Sequence, residues 1–151
     1  MRALSQNSKF KTTVQKSKLK NYLEKIVKLE QPRLIKLSEI AEKTDYFFSN
    51  PKYDKELLKW KNMSDNEIKE SLEKSIEIAS KIPEANFKLK NLEKIFIKEA
   101  EKIGDRGCLL WPLRVALSGK KASPGPFEIA DILGKKEVLK RISSALKLLQ
   151  L

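Results

Sequence analysis

Arg114 is the residue whose chemistry agrees least with its neighbours. It stands between Leu113 and Val115 in the otherwise apolar run GCLLWPLRVALSG, residues 107–119. A guanidinium in that setting has two outlets. It snorkels or pairs with an acid such as Glu128, or it presents a planar fork to a phosphate or a base edge. The loop that follows, KKASPGP, sets two prolines around one glycine, so little entropy is lost when it meets a partner. Lys120 and Lys121 are either a solvated corner or phosphate ligands beside Arg114. Phe127, at the end of the loop, either anchors the next helix in the core or stacks on an unpaired base.

Other chemistry is poorly represented. The chain contains no histidine, which removes Ser-His-Asp and Cys-His hydrolysis, histidine-ligated metals and histidine acid–base work. The single Cys108 forms no internal disulfide and no two-cysteine half of a zinc site, so no metal is expected, and single-cysteine usage fits a reducing cytoplasm. With no histidine to activate it, Cys108 reads as a small buried apolar residue. Glu128 and Asp131, three residues apart, read as a charged helical face rather than an acid–base pair. Gly104, Gly107 and Gly119 have neither P-loop nor dinucleotide-binding spacing.

The charge is high and unevenly placed. In 151 residues, Lys+Arg number 32 and Asp+Glu 20, a net of +12 that calls for a polyanionic partner. Residues 1–20 hold six cations and no acid, residues 61–102 hold nine of each sign, and residues 103–151 hold nine cations against four acids. The excess thus lies at the two ends of the sequence, around a neutral middle. No apolar run approaches the roughly 20 residues of a membrane helix, and the basic start leads into polar residues rather than a signal-peptide core, so no membrane partner is expected.

The elements that must position these residues are helices. A period near 3.6 runs through most of the chain, and no alternating strand pattern occurs. Residues 1–17 read as a basic, flexible segment. Helices are expected at about 18–30, from Pro32 to about Phe48, at 54–61, at 65–82 behind the capping box of Ser64 and Glu67, and at 87–103. The rest fall at 107–117, 127–133 and 135–149. The fold class is therefore all-α, about seven to eight helices in two small lobes, 18–84 and 85–151, the second carrying the proline-rich loop.

With these residues in place, a resemblance becomes visible. The run LLWPLRVALSGKKASPGPFEIADILGKKEVLKRI (109–142) resembles the C-terminal anticodon-binding domain of bacterial glutamyl-tRNA synthetases. QPRLIKLSEIAEKTDYFF (31–48) and PKYDKELLKW (51–60) resemble the start of that domain, in the same order, so the match covers about residues 20–149. The resemblance implies a helical cage that receives the anticodon loop of tRNA for glutamate. Arg114 matches an arginine that contacts anticodon bases there, and Ser123, Pro124, Pro126 and Phe127 match the anticodon-facing loop. The third-base discriminator is implied near Pro32–Ile40, with Arg33 or Lys36 in that role, and Lys120 and Lys121 are candidates for the RNA backbone.

The departures from the family are equally specific. No HIGH-type motif is present, and Lys61-Asn62-Met63-Ser64 is not a KMSKS-type loop. The half that would bind glutamate, ATP and Mg²⁺ is absent, so this chain should bind no cofactor and aminoacylate nothing alone. It reads as a truncated chain or the C-terminal portion of a longer enzyme. The expected partners are tRNA and the catalytic domain of the same synthetase, with the chain a cytoplasmic monomer. The alternative is a basic helical RNA-binding or protein-adaptor module without base specificity, which needs only the charge and the amphipathic helices.

Overall fold

The computed structural model describes the backbone of residues 2–151 and the side chains of residues 15–151. Among these the fold is all-α, with seven α-helices, five short 3₁₀ turns and no strand. The first helix, α1 (Arg2–Glu30), starts well before the expected residue 18. No proline or glycine interrupts residues 1–30, so nothing in the backbone stops the helix from extending into the basic segment. Among the apolar residues of α1, Ile26 is buried and Tyr22 and Leu29 are half-buried, whereas Leu19, Leu23 and Val27 lie open.

The stretch after α1 departs furthest from expectation. In place of one helix from Pro32 to Phe48 there are 3₁₀ turns at Gln31–Arg33, Leu37–Glu39 and Asp45–Phe47, with a single short helix, α2 (Ile40–Thr44), among them. The cause is local hydrogen bonding that competes with the helix. The Ile35 amide donates to Glu39 Oε2 at 3.3 Å, and Lys43 Nζ donates to the Arg33 carbonyl at 2.7 Å. Leu37 is exposed as a result, as is Ile35. The helix expected at 54–61 is likewise only a 3₁₀ turn, Lys55–Leu58.

From residue 64 onward the structure follows the local signals. The Ser64 amide donates to Glu67 Oε2 at 2.7 Å and the Glu67 amide to Ser64 Oγ at 3.3 Å, opening α3 (Asp65–Lys81) with a reciprocal cap. Then come α4 (Leu89–Ile103), α5 (Gly107–Ser118), α6 (Pro126–Leu133) and α7 (Lys135–Leu149). α5 ends at Gly119, whose φ of +64° only glycine adopts without strain. The division expected at 84/85 falls on the turn between α3 and α4. Across it, α3 packs on α5 and α7, and residues from both sides join one core that includes Leu58, Ile68, Leu72, Phe96, Leu113 and Ile142.

Two tryptophans hold the early segment against α5. Trp60 and Trp111 pack with ring centroids 5.4 Å apart, and the Trp111 indole donates to the Leu57 carbonyl at 2.8 Å. Gly107 leaves room for this contact, since a Cβ there would lie 2.2 Å from Trp60 Cε2. Gly107→Ala is therefore expected to cost about 1–3 kcal/mol by forcing the ring aside. Urea unfolding checks this, and an unchanged midpoint would mean that Trp60 is not held where it lies.

The core also contains a polar group that its surroundings do not satisfy. Ser75 on α3 is fully buried, and among the described residues its Oγ has no hydrogen-bond partner. Ser75→Ala removes that cost and suits the helix better, so a gain of about 1 kcal/mol in stability is expected. Thermal unfolding of the variant provides the test, and a lower midpoint would mean that the hydroxyl is satisfied in solution.

Candidate nucleic-acid interface

α5 carries the charge that its sequence cannot bury. Its apolar residues Leu109, Leu113, Ala116 and Leu117 are sealed into the core, which leaves Trp111 and Arg114, one turn apart, half-buried at the edge. The Arg114 guanidinium lies over the Trp111 ring, 4.6 Å from its centroid. Its Nη2 donates to the Lys121 carbonyl at 3.1 Å, and Nη1 makes a longer contact with the Ser123 carbonyl at 3.5 Å. Glu128 is not its partner: that carboxylate accepts the Gly125 amide at 3.1 Å and caps α6. Among the described residues Arg114 has no carboxylate counter-ion. Partial burial and the nearby Arg33 charge both work against the protonated guanidinium, so its pKa is lowered.

The proline-rich loop is tethered from several directions. Ser123 and Pro124 are buried, with Ser123 Oγ donating to the Pro124 carbonyl at 2.9 Å. Pro126 begins α6, where its fixed φ suits the first helical position. Phe127 is buried against Phe96 at a centroid distance of 5.8 Å. Its ring thus anchors α6 in the core and turns no open face toward a base. Lys120 Nζ reaches the Asp45 carboxylate at 3.1 Å and the Glu42 carbonyl at 3.1 Å, tying the loop to α2. Lys121 is exposed.

These ties bring the two halves of the sequence together. A cleft of about 330 Å³ opens where the stretch after α1 meets the loop. Glu30, Arg33, Glu39, Glu42 and Lys43 line one side, and Lys120, Ala122 and Ser123 line the other. Arg33 stands at its edge, half-exposed, with Nε 3.7 Å from Glu30 Oε2. Lys36 is exposed and does not line the cleft. The structure therefore gathers Arg33, Lys120 and Ser123 around one hollow with Arg114 close by, while Phe127 supports it from behind.

A larger hollow of about 600 Å³ lies between α3 and α4, but most of its lining lysines pair with its glutamates, as in Lys81–Glu77 at 2.8 Å, Lys102–Glu99 at 2.7 Å and Lys74–Glu99 at 3.7 Å. Of the lining lysines, Lys94 alone has no carboxylate partner among the described residues. Trp111, over which Arg114 lies, and the lining residues Glu30, Glu39, Glu42 and Lys43 escaped the sequence reading. Trp111 was detectable, because an aromatic residue three positions before a lone arginine on a helix can carry it. Glu30 gave no local signal.

Among the described residues no cluster of three His, Cys, Asp or Glu side chains is placed to hold a metal ion, and no helix is long and apolar enough to cross a membrane. Residues 5–146 match the family described as anticodon binding domain. A glutamate–tRNA ligase from Clostridium acetobutylicum is 40% identical over 132 residues, covering 85% of this chain and 27% of that protein. A second, from Clostridium kluyveri, is 42% identical over 130 residues, covering 84% of this chain and 26% of the relative. The chain thus spans about a quarter of the length of these relatives. A crystal structure of a glutamate tRNA ligase from Elizabethkingia meningosepticum shares the fold, with a TM-score of 0.71 at 23% identity over 84% of this chain and 25% of that one.

Proposed function

The chain belongs to the anticodon-binding domain family, and from that premise we propose that it reads the anticodon loop of tRNA for glutamate. In this reading the reaction, a ligation of glutamate to tRNA, takes place in a separate catalytic domain of the same enzyme, which holds ATP and Mg²⁺. The present chain contributes specificity as a cytoplasmic monomeric unit and catalyses nothing by itself. One observation carries the proposal: Arg114 lies over Trp111, has no carboxylate partner among the described residues and stands beside Arg33 next to a stiffened loop. A planar donor held at such a site is matched to an unstacked base or a phosphate.

The division of labour follows from charge and rigidity. The basic ends of the sequence meet the phosphates of the anticodon arm and set affinity. Arg114 and Arg33, placed by α5 and by the turn at Gln31–Arg33, read base edges. Ser123, Pro124 and Pro126 keep the rim of the cleft in shape, Phe127 fixes the helix behind it, and Lys120 and Lys121 border the path of the backbone.

A fluorescence-anisotropy titration tests this reading. It uses tRNA for glutamate, the same tRNA with its anticodon replaced, and an unrelated tRNA, each at two salt concentrations. Preference for the cognate anticodon that survives the higher salt is the expected result. Equal binding that collapses together with salt would instead identify a basic platform without base specificity.

A further inference from the structure

The cleft carries its own counter-charges. Arg33, Lys43 and Lys120 face Glu30, Glu39 and Glu42, three charges of each sign. A phosphate entering this balanced hollow gains little net attraction, whereas a neutral base edge meets donors without paying for repulsion. Glu30 differs from the other two acids because it is nearly sealed, at 1% exposure. The buried Tyr46 hydroxyl donates to its Oε1 at 3.3 Å, and Arg33 Nε lies 3.7 Å from its Oε2. Burial pushes the Glu30 carboxyl up, while Arg33, the Tyr46 hydroxyl and Lys43 pull it back.

The closest approach of Arg33 to this carboxylate is through Nε, an ion-pair contact longer than a hydrogen bond. The two terminal nitrogens of Arg33 donate to no group among the described residues, and the backbone beneath it is fixed by Lys43 at the Arg33 carbonyl. We infer that Glu30 is a positioning residue: its buried carboxylate keeps the Arg33 guanidinium at the cleft and cancels enough charge that the cleft takes a nucleobase edge rather than a phosphate. This rests on the anticodon reading and adds the group that makes Arg33 selective. Burial and the Tyr46 hydroxyl keep the Glu30 carboxylate from swinging to solvent, so its charge stays beside Arg33.

The test uses the whole chain and anticodon stem-loops carrying the glutamate anticodon or a replacement at each of its three positions. Glu30→Gln keeps the shape and an acceptor for Tyr46 but removes the charge. It should reduce the preference for the cognate loop at one anticodon position by about tenfold, the scale of one bidentate base contact. It should also steepen the salt dependence by about one released counter-ion, because Arg33 becomes available to a phosphate. In an Arg33→Ala background the same change should alter selectivity no further.

Unaltered selectivity in Glu30→Gln, or an equal effect with and without Arg33, would overturn the inference while leaving anticodon reading intact. A lowered unfolding midpoint with selectivity kept would do the same, since it would assign Glu30 a structural role only. If the unaltered chain shows no preference among the stem-loops, both readings fall.

Discussion

Arg114→Ala is expected to weaken binding to cognate tRNA by about 1–3 kcal/mol and to reduce discrimination among anticodons. The size follows from what the guanidinium does in the structure. It is desolvated in part, lies over Trp111 and is hydrogen-bonded only to carbonyls, so its charge is poised for an anionic or base acceptor beyond those two carbonyls. Arg114→Lys separates the components of this effect. Lysine keeps the positive charge but lacks the planar fork and the stacked face, so much of the selectivity should be lost with it even where affinity at low salt is largely retained. Equal losses on cognate and anticodon-swapped RNA would show that Arg114 contributes charge alone.

Arg141→Met should have the largest effect on stability, a loss of about 3 kcal/mol or more. Arg141 is 4% exposed on α7, and its guanidinium joins three parts of the chain. Nη1 donates to the Leu117 carbonyl at the end of α5 at 2.6 Å, Nη2 to the Ser49 carbonyl at 3.4 Å, and Nε to Glu137 at 3.0 Å. Methionine fills most of the volume but supplies no donor, so two backbone carbonyls and a carboxylate lose their partner. Chemical denaturation measures the cost. A loss below about 1 kcal/mol would indicate that water replaces these bonds and that Arg141 is not the tie the structure describes.

Arg114 and Arg141 also show what can be read from a sequence of this kind. Arg114 was visible because a charge among Leu113, Val115, Ala116 and Leu117 violates the pattern of its own helix. Arg141 was not, because in KKEVLKRI it occupies a position that looks like an ordinary solvated face. Its burial depends on Leu117 and Ser49, which are distant in sequence and meet only in the fold. The helices from Asp65 onward were legible for a similar reason. Ser64–Glu67, Gly119 and Gly134 mark their ends with chemistry confined to a few residues.

The stretch from Gln31 to Phe48 was misread by the same logic. Leu34, Leu37, Ile40 and Thr44 satisfy a helical period, yet Glu39 and Lys43 bond backbone groups at Ile35 and Arg33 and hold that segment out of the helix. Periodicity registers apolar side chains and not the reach of a lysine to a carbonyl ten residues away. The consequence is functional, since this irregular turn is what sets Arg33 at the cleft. Glu30 was hidden because a glutamate at the end of a helix rich in lysine looks like surface, and its partners Tyr46 and Arg33 meet it only in the fold.

The measurement that tests the account most directly places the RNA against the cleft. An anticodon stem-loop carrying 4-thiouridine within the anticodon is irradiated in complex with the chain, and the crosslinked peptides are identified. The account predicts crosslinks in residues 30–43 and 111–124, weakened when the anticodon is replaced. Crosslinks confined to the lysines of residues 9–20, or a pattern indifferent to the anticodon, would contradict it.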